Sequence, residues 1–228
     1  MIIKALVLRT MLTQHIIWDW NGTLLDDTWL SIKAINILLQ RYKLPQINVC
    51  NYRDTFMFPV KQYYEKIGFN LLEPSFRQLS SEFIDEYKAR MFQLHLHAGS
   101  KRVLKLIDGL GCSQSLLSAA HQKMLNTLTQ YLEIRPFFQK IIGLENHYAT
   151  SKLEVGQAWM NELHIDPRNV VLIGDTVHDH EVAQNIGVDC VLVAYGHNSY
   201  ARLVKTGAQV FDNITELESC LFERIDKG

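Results

Sequence analysis

The sequence predicts an α/β protein, with a Rossmann-like parallel sheet that carries helices on both faces and an inserted all-helical cap. Short, continuous apolar runs alternate along the chain with helical patterns. Strands of a parallel sheet read this way because both of their faces are buried. Two of the runs end in an acid, at Asp19 and Asp175, and a purely helical region interrupts the alternation after the first of them.

The composition is that of a globular protein with a sizeable core. The 228 residues are 47% hydrophobic and 21% charged, and the formal net charge is −1. These values suit one large domain or a core with a smaller insert, and they argue against disorder. No basic cluster points to nucleic acid or to an anionic membrane. The cysteines are far apart and form no CxxC pair, so we expect reduced thiols, mostly in the core, in a cytoplasmic protein: Cys50, Cys112, Cys190 and Cys220.

The first 14 residues precede the first predicted strand of the core and contain a short apolar run of their own. The apolar run 2–8 is too short to span a bilayer. Arg9 and Gln14 interrupt it, and no small-residue cleavage site follows. We expect an additional strand or an extension there, in a protein that is soluble and not exported.

Six apolar runs are the predicted strands of the core. Four of them end at Trp18, near Leu117, at Ile142 and at Ile173, and two cover residues 190–193 and, more weakly, 208–211. Helical patterns lie between them, at 101–106, 122–131, 152–163 and 178–186.

Residues 28–95 are predicted to form the helical cap, and residues 1–27 and 96–228 the α/β core. Asp27 and Thr28 can cap a first helix, whose apolar positions recur at three- and four-residue spacing: Trp29, Ile32, Ile35, Leu39 and Tyr42. Pro45 ends that helix. A second stripe follows Pro74: Phe76, Leu79, Phe83, Tyr87, Met91 and Leu94. Such an insert either closes over the crevice at the sheet edge or is a helical hairpin that only shields the sheet.

The segment after the first strand is the most informative one. It places an acid before a Gly-Thr turn: Asp19-Trp20-Asn21-Gly22-Thr23. In open α/β sheets, ligands bind in the crevice beyond the carboxyl ends of the strands. Later in the chain, the apolar run 170–173 delivers Gly174 and Asp175 to the same edge, and Asp179 lies one helical turn further. Either acidic strand end alone could be an ordinary turn.

Two segments between these acids are weaker signals. Ser118 follows an apolar run and precedes Ala119 and Ala120. A hydroxyl and free backbone N–H groups at a helix start can hold a phosphate, although serine before a helix is usually only a cap. Lys152 opens the 152–163 helical pattern after Ser151. A lone lysine is most often a solvated surface residue.

Together these segments resemble the motifs of the haloacid dehalogenase-like hydrolase superfamily, in its phosphoglycolate phosphatase-like branch with a helical cap. The run from Asp19 resembles the first motif, Asp-x-Asp-x-Thr, and the run from Gly174 to Asp179 resembles the fourth, Gly-Asp-x-x-x-Asp. Ser118 and Lys152 are similar to the second and third motifs. The resemblance covers nearly the whole chain from residue 15 onward. It implies a Mg²⁺-dependent phosphatase that acts on a small phosphorylated metabolite.

The resemblance also implies the roles of individual residues. Asp19 would be the nucleophile, and Ser118 and Lys152 would hold the phosphate. The other implied substrate contacts are Gly22, Thr23 and Ala119. The implied Mg²⁺ ligands are the carboxylates of Asp19 and Asp175, the backbone carbonyl of Asn21, and Asp179, either directly or through another ligand. Hard divalent cations prefer such oxygen ligands.

Asn21 departs from the family pattern, because most phosphatases of the superfamily carry a second Asp at this position. That Asp protonates the leaving group and later activates water, whereas an amide does not titrate near neutral pH. Positioned acid–base catalysis contributes about 10²–10⁴ in rate, so we expect slow turnover and expect Asn21→Asp to raise it at least tenfold. His121, or His95 or His97 from the cap region, could supply the proton instead.

Other functions of the same fold stay open. One is a catalytically silent relative that binds a phosphate ester as a sensor or interaction protein, and another is a phosphotransferase. Dehalogenases of the superfamily do not use Mg²⁺. Phosphonate hydrolases need a Schiff-base lysine from the cap, and the sequence singles out none of the candidates Lys33, Lys43, Lys61 and Lys66. The i, i+2 spacing of His178 and His180 disfavours a transition-metal site.

The identity of the ester and the oligomeric state do not follow from the sequence. In such enzymes the cap selects the substrate. The predicted cap side chains for this task are Arg53, Lys61, Tyr63 and Tyr64.

Overall fold

A computed structural model describes residues 13–72, 74–145 and 151–225, with only the backbone at residues 223 and 224. The prediction of a strand or extension at the N-terminus therefore lies almost entirely outside the described residues.

A six-stranded parallel sheet forms the centre of the molecule. Its strands in chain order are β1 (His15–Trp18), β4 (Ser113–His121), β5 (Lys140–Leu144), β6 (Val170–Gly174), β7 (Asp189–Val193) and β8 (Gln209–Phe211). Their order across the sheet is β5-β4-β1-β6-β7-β8, and every neighbouring pair is parallel. Two short strands, β2 (Leu25–Asp26) and β3 (His95–Leu96), pair antiparallel with each other. The predicted fold class is confirmed.

Helices occupy most of the remaining described chain. They are α1 (Thr28–Arg41), α2 (Val49–Thr55), α3 (Val60–Lys66), α4 (Phe76–Lys88), α5 (Ser100–Gly109), α6 (Gln122–Tyr131), α7 (Lys152–Leu163), α8 (Val177–Ile186), α9 (Tyr200–Leu203) and α10 (Ile214–Ile225). None of these described helices has the length and apolar character needed to cross a membrane.

The sheet is buried on both faces. In β1, Ile16 and Trp18 pack on one side with apolar residues of α5, α6 and α10, whereas Ile17 packs on the other side with α7 and α8. All three side chains are fully buried. Each such side chain contributes about 1.5–3 kcal/mol relative to an exposed one. The strand that leads to Asp19 is therefore held firmly from both faces.

Helices α1 to α4 form a second apolar core of their own, which includes Ile35, Tyr52, Tyr63 and Leu79. The antiparallel pairing of β2 with β3 joins the chain entering this region to the chain leaving it. The division of the chain at residues 28 and 95 stays a prediction, and residue 95 itself lies in β3.

The predicted buried face of α1 is partly wrong. Trp29 is 40% exposed, and the fully buried positions include Leu30, Ala34 and Leu38. Apolar residues occupy much of the circumference of this helix, so their spacing alone does not select one face. Packing of α1 against α4 and the sheet domain selects it instead.

Candidate active site

Asp19 and Asp175 lie side by side at the carboxyl edge of the sheet. Asp19 directly follows β1, and its N–H donates to the carbonyl of Ile173 in the neighbouring β6 at 2.8 Å. The chain runs from β1 outward to β4 and β5 on one side, and then returns to β6 on the other. Ligand crevices open at such a switch in strand order.

Three carboxyl groups converge at this point. Asp19, Asp175 and Asp179 each offer an oxygen atom, and these atoms lie within 4.8 Å of one another. All three residues are buried. In the described part of the chain this is the cluster with the donor set for a metal ion, and it includes neither His178 nor His180.

Lys152 reaches this cluster from the start of α7. Ser151 caps the helix in a capping box with Glu154, which fixes the first turn. Lys152 is 4% exposed, and its ammonium group forms ion pairs with Asp19 and with Asp179, the latter at 2.5 Å. Burial lowers the lysine pKa, but the two carboxylates outweigh burial and raise it. Lys152 therefore remains a cation.

Both oxygens of Asp179 already have partners. Oδ1 accepts from Lys152, and Oδ2 accepts from the Thr176 hydroxyl at 2.6 Å and the Thr176 N–H at 2.9 Å. Burial raises the pKa of Asp179, but Lys152 and Thr176 outweigh burial and lower it. Asp179 thus orients the lysine as an ionised carboxylate.

The negative charge of the site exceeds what Lys152 neutralises. Burial raises the pKa of Asp19 to about 8, against the opposing charge of Lys152. The carboxylates of Asp179 and Asp175 add to this rise. Burial also raises the pKa of Asp175 to about 6, with His197 opposing. A cluster of buried carboxylates that resists ionisation without a further cation fits a hard divalent metal.

Two glycines allow the backbone to approach Asp175. Gly22 has φ +77°, and a Cβ there would lie 2.3 Å from Asp175 Oδ2; at Gly196 the distance would be 2.1 Å. Because both positions lack a Cβ, the N–H of His197 reaches Asp175 Oδ2 at 2.5 Å. The hydroxyl of Thr23 donates to Asp175 Oδ1 at 2.9 Å. These contacts fix the carboxylate in the crevice.

Ser118 lies in the site but not at a helix start, so that part of the prediction is wrong. Strand β4 continues past Leu117 to His121 through a register irregularity, and α6 begins only at residue 122. The Ser118 hydroxyl accepts from the Ala120 N–H at 3.1 Å. Ser118 and Ala119 nevertheless line the same cavity as Asp19 and Lys152.

Asn21 is held by Asp27. The Asn21 amide donates to Asp27 Oδ2 at 2.7 Å. Asp27 stands at the N-cap position of α1, but its side chain makes no capping hydrogen bond, contrary to the prediction. Instead the buried carboxylate accepts from the Gly22 N–H and from the Tyr87 hydroxyl, both at 2.8 Å. The Asp27 carboxylate thus binds groups of the site instead of the first turn of α1.

His197 is a residue of the site that the sequence reasoning missed. Its Nε2 lies 3.3 Å from Asp27 Oδ1, and its Nδ1 lies 2.9 Å from the Tyr52 hydroxyl of α2. Burial lowers the pKa of His197, but Asp27 and Asp175 outweigh burial and raise it to about 9. The available signal was its position, four residues after the end of β7 at the same sheet edge.

The three histidines considered as proton carriers are in different environments. His121 lines the cavity, and its Nδ1 accepts from the Lys123 N–H. His97 Nε2 lies 3.1 Å from the Gly22 carbonyl oxygen. His95 is exposed on β3.

A cavity of about 590 Å³ lies between the sheet edge and helices α1 to α4. Its floor carries Asp19, Asn21, Ser118 and Lys152. Of the predicted selectivity residues, Lys61, Tyr63 and Tyr64 line this cavity. Arg53 is not among its lining residues, and it donates instead to the Tyr195 carbonyl at 2.6 Å. Among the lysines considered for a Schiff base, only Lys61 lines the cavity.

This fold and this acid-bearing crevice are those of the haloacid dehalogenase-like hydrolases. The model of that family matches residues 16–193, and the chain belongs to the family. The predicted superfamily is confirmed, including the likeness to its phosphoglycolate phosphatases.

Individual relatives support the predicted class of phosphoric monoester hydrolase. A phosphoglycolate phosphatase from Caulobacter vibrioides is 28% identical over 198 residues, which cover 80% of this chain and 79% of the relative. An N-acetylmuramic acid 6-phosphate phosphatase from Pseudomonas aeruginosa is 23% identical, with 83% and 85% covered. A predicted phosphatase from Clostridium acetobutylicum, known as a crystal structure, shares the fold with a TM-score of 0.81 at 20% identity, covering 93% of this chain and 100% of that chain.

Proposed function

We propose that the chain is a Mg²⁺-dependent phosphatase that hydrolyses a small phosphomonoester through an aspartyl-phosphate on Asp19. The observation that carries this proposal is the buried cluster of Asp19, Lys152 and Asp175 on the floor of a cavity of about 590 Å³. The family membership and the phosphatase relatives support the same reaction class.

In this reaction a carboxylate oxygen of Asp19 attacks phosphorus, and the bond from phosphorus to the ester oxygen breaks. The alcohol leaves with a proton, and water then hydrolyses the acyl phosphate to restore Asp19 and release inorganic phosphate. Lys152 opposes the rise in the pKa of Asp19 and so favours the nucleophilic form. Lys152 and Ser118 would hold the phosphoryl oxygens, with Gly22, Thr23 and Ala119 around them.

Mg²⁺ would be held by Asp19, Asp175 and the backbone carbonyl of Asn21, with Asp179 as a further ligand or as the residue that orients Lys152. When bound, the ion would supply positive charge that offsets the negative charge of the carboxylates and the phosphate. Asn21 cannot deliver the proton, because an amide does not titrate, and its side chain already donates to Asp27. Turnover is therefore slow, and His121 on the cavity wall is the candidate proton carrier.

The test is phosphate release from a panel of phosphorylated metabolites, with Mg²⁺ and with a chelator. We expect release only with the metal, and its loss in Asp19→Asn. Asp108→Asn, an exposed aspartate of α5, is the matched control. Unchanged turnover in Asp19→Asn would rule out the mechanism.

A second candidate is a silent member of the family that binds phosphate esters as a sensor, which the engagement of Asn21 with Asp27 favours. Calorimetry would then detect Mg²⁺-assisted ester binding while no product accumulates over hours. A phosphotransferase would instead leave a phosphorylated Asp19 that mass spectrometry can trap.

The partner in every case is a small phosphorylated metabolite, and the proposed location is the cytoplasm, where thiols stay reduced. All four cysteines are free.

A further inference from the structure

The cavity above the catalytic floor has a cap side built from aromatic rings. We call Tyr52, Phe56, Phe58, Tyr63 and Tyr64 the aromatic wall, and all five line the cavity. Their rings contact one another mostly edge to face. The Phe56 centroid lies 5.2 Å from that of Tyr63 and 5.5 Å from that of Phe58, with interplanar angles of 75° and 74°.

Part of this wall is apolar surface that faces the cavity rather than a packed core. Phe56 and Phe58 are only half-buried, and so is Ile84 of α4, which also lines the cavity. Met124 and Leu128 of α6 continue the apolar lining on the core side. Water covers such enclosed apolar surface poorly, so an apolar ligand group gains by displacing it.

Two of the hydroxyl groups on the cap side are engaged with the protein itself. The Tyr52 hydroxyl contacts His197 at 2.9 Å, and the Tyr87 hydroxyl donates to Asp27 at 2.8 Å. Among the described residues of helices α1 to α4 that line the cavity, Lys61 is the one cationic side chain, and it is exposed. The Tyr63 hydroxyl is buried without a hydrogen-bond partner among the described residues. A carboxylate therefore finds Lys61 as its one cationic partner on this side, and desolvating it would cost affinity.

The aromatic wall begins next to the catalytic floor. The Phe58 ring lies 4.7 Å from that of His178, which precedes Asp179. The Phe56 and Tyr52 rings lie 5.3 and 5.7 Å from that of His197, whose N–H binds Asp175. An ester with its phosphate at Asp19 thus has the wall within reach of a short alcohol chain.

We propose that the phosphomonoester accepted by this site carries an aromatic ring on its alcohol, and that the aromatic wall binds that ring. This inference rests on the proposed phosphatase activity and names its substrate class. Aromatic pairs in edge-to-face or offset geometry are more favourable than area burial alone predicts, by about 0.5–1.5 kcal/mol. An aromatic guest therefore suits this wall better than an aliphatic one of equal size.

The decisive measurement compares four esters of primary alcohols on the full chain with Mg²⁺: 2-phenylethyl phosphate, 2-cyclohexylethyl phosphate, ethyl phosphate and 2-phosphoglycolate. Similar leaving groups make binding of the alcohol the main variable. We expect kcat/KM for the phenyl ester to exceed that for ethyl phosphate by about 30-fold, from burial of one ring. It should exceed that for the cyclohexyl ester by about fivefold. A preference for 2-phosphoglycolate, or equal rates with the cyclohexyl ester, would overturn the proposal.

Two variants locate the effect on the wall. Phe58 and Ile84 line the cavity outside the buried clusters of the described chain, so their replacement leaves those clusters intact. We expect Phe58→Ser and Ile84→Ser each to lower the ratio of kcat/KM for the phenyl ester to kcat/KM for ethyl phosphate about tenfold. Phe92→Ser removes a ring that is 50% exposed away from the cavity and should leave this ratio unchanged. Equal losses on both esters in folded protein would contradict the assignment.

A binding measurement separates this inference from the proposed activity. By calorimetry with Mg²⁺, 2-phenylethylphosphonate should bind at least tenfold more tightly than ethylphosphonate, with a more negative heat-capacity change from apolar burial. If no ester is hydrolysed but this preference is found, the phosphatase proposal fails and the aromatic site stands. If esters are hydrolysed and the two phosphonates bind alike, the aromatic site fails and the phosphatase stands.

Discussion

At the turn after β1, the partly buried amide of Asn21 pairs with the buried carboxylate of Asp27. Burial raises the pKa of Asp27, but His197, Asn21 and Tyr87 outweigh burial and lower it. Asp27 is therefore ionised at neutral pH and has no proton to donate to a leaving group. The turn therefore has a fixed carboxylate at Asp27, six residues after position 21, where most phosphatases of the superfamily carry their second Asp.

The first prediction concerns this pair. Asn21→Asp alone sets a second carboxyl group against Asp27, in place of a hydrogen bond of 2.7 Å, and the two share a proton. Exchanging the two side chains, in Asn21→Asp with Asp27→Asn, keeps one amide–carboxylate pair and restores an acid at position 21. We expect kcat to rise at least tenfold in the double variant. The single variant should gain less than the sequence alone led us to expect, because Asp27 faces the new acid. If Asn21→Asp raises kcat by the same factor with and without Asp27→Asn, the double-mutant cycle shows that Asp27 does not limit the new acid.

The second prediction concerns Lys152, whose charge opposes the rise in the pKa of Asp19. In Lys152→Met that pKa rises further, so a smaller fraction of Asp19 is ionised at neutral pH. We expect kcat/KM to fall by at least about 100-fold and the acidic limb of its pH profile to move to higher pH. Lys105→Met, at an exposed position of α5, serves as the control. A reduced rate with an unmoved profile would show that Lys152 does not act on Asp19.

Among the elements, α9 and the segment before it hold the end of α2 against the core. Arg202 donates to the carbonyl oxygens of Arg53 at 3.0 Å and Phe56 at 2.5 Å. Asn198 also donates to Phe56 at 3.1 Å. In the opposite direction, Arg53 donates to the Tyr195 carbonyl at 2.6 Å. These bonds connect the cap side of the cavity to the segment that carries His197.

The third prediction tests this connection by hydrogen exchange. Hydrogen bonds from charged groups contribute about 1.5–3 kcal/mol each. In Arg202→Met we therefore expect the amides of α2 to exchange about tenfold faster or more, while those of β1 and β6 are unchanged. Arg168→Met removes an arginine that is 57% exposed and pairs with Asp166 nearby in sequence, and it should leave α2 unaffected. Unchanged exchange of α2 in Arg202→Met would contradict the role of these bonds.

At the scale of the whole molecule, the parallel sheet brings the residues of the site together. Its first strand also contains a buried polar side chain, His15. His15 of β1 is fully buried, with its ring nitrogens 2.7 and 2.8 Å from the hydroxyls of Ser113 and Ser115. Burial lowers the pKa of His15 to about 4. Between about pH 4 and the ordinary histidine pKa of about 6.5, the unfolded chain therefore carries a proton on His15 that the folded chain does not.

The fourth prediction follows from this difference. Stability from neutral His15 is fully present above about pH 6.5 and is lost as the pH falls toward about 4, by about 3 kcal/mol in all. Gln at this position keeps hydrogen bonding but does not titrate. We expect the free energy of unfolding of the wild type, measured by denaturant titration, to fall by that amount relative to His15→Gln as the pH decreases across the window. Other titrating groups cancel in the difference. A constant difference from pH 7 to pH 4 would show that folding does not lower the pKa of His15.

Much of the architecture was predictable because its signals are local. Helices α6 and α7 have the predicted bounds, and the apolar runs before Asp19 and Asp175 are β1 and β6. Apolar periodicity reports directly on such elements, since each residue contacts its near neighbours in the chain. The end of β4 was missed, because the irregularity after Leu117 arises from pairing with β5.

The sequence by itself determined the fold class and the candidate acids, since strand ends of a parallel sheet must share one edge. Only the tertiary structure decided which groups meet there. It paired Asn21 with Asp27, and it brought His197 to the site from the end of a different strand. It also buried a face of α1 that excludes Trp29. It also lined the space above the acids with the aromatic wall. These contacts join residues far apart in the chain, and their geometry depends on how separate elements pack, which no local pattern encodes.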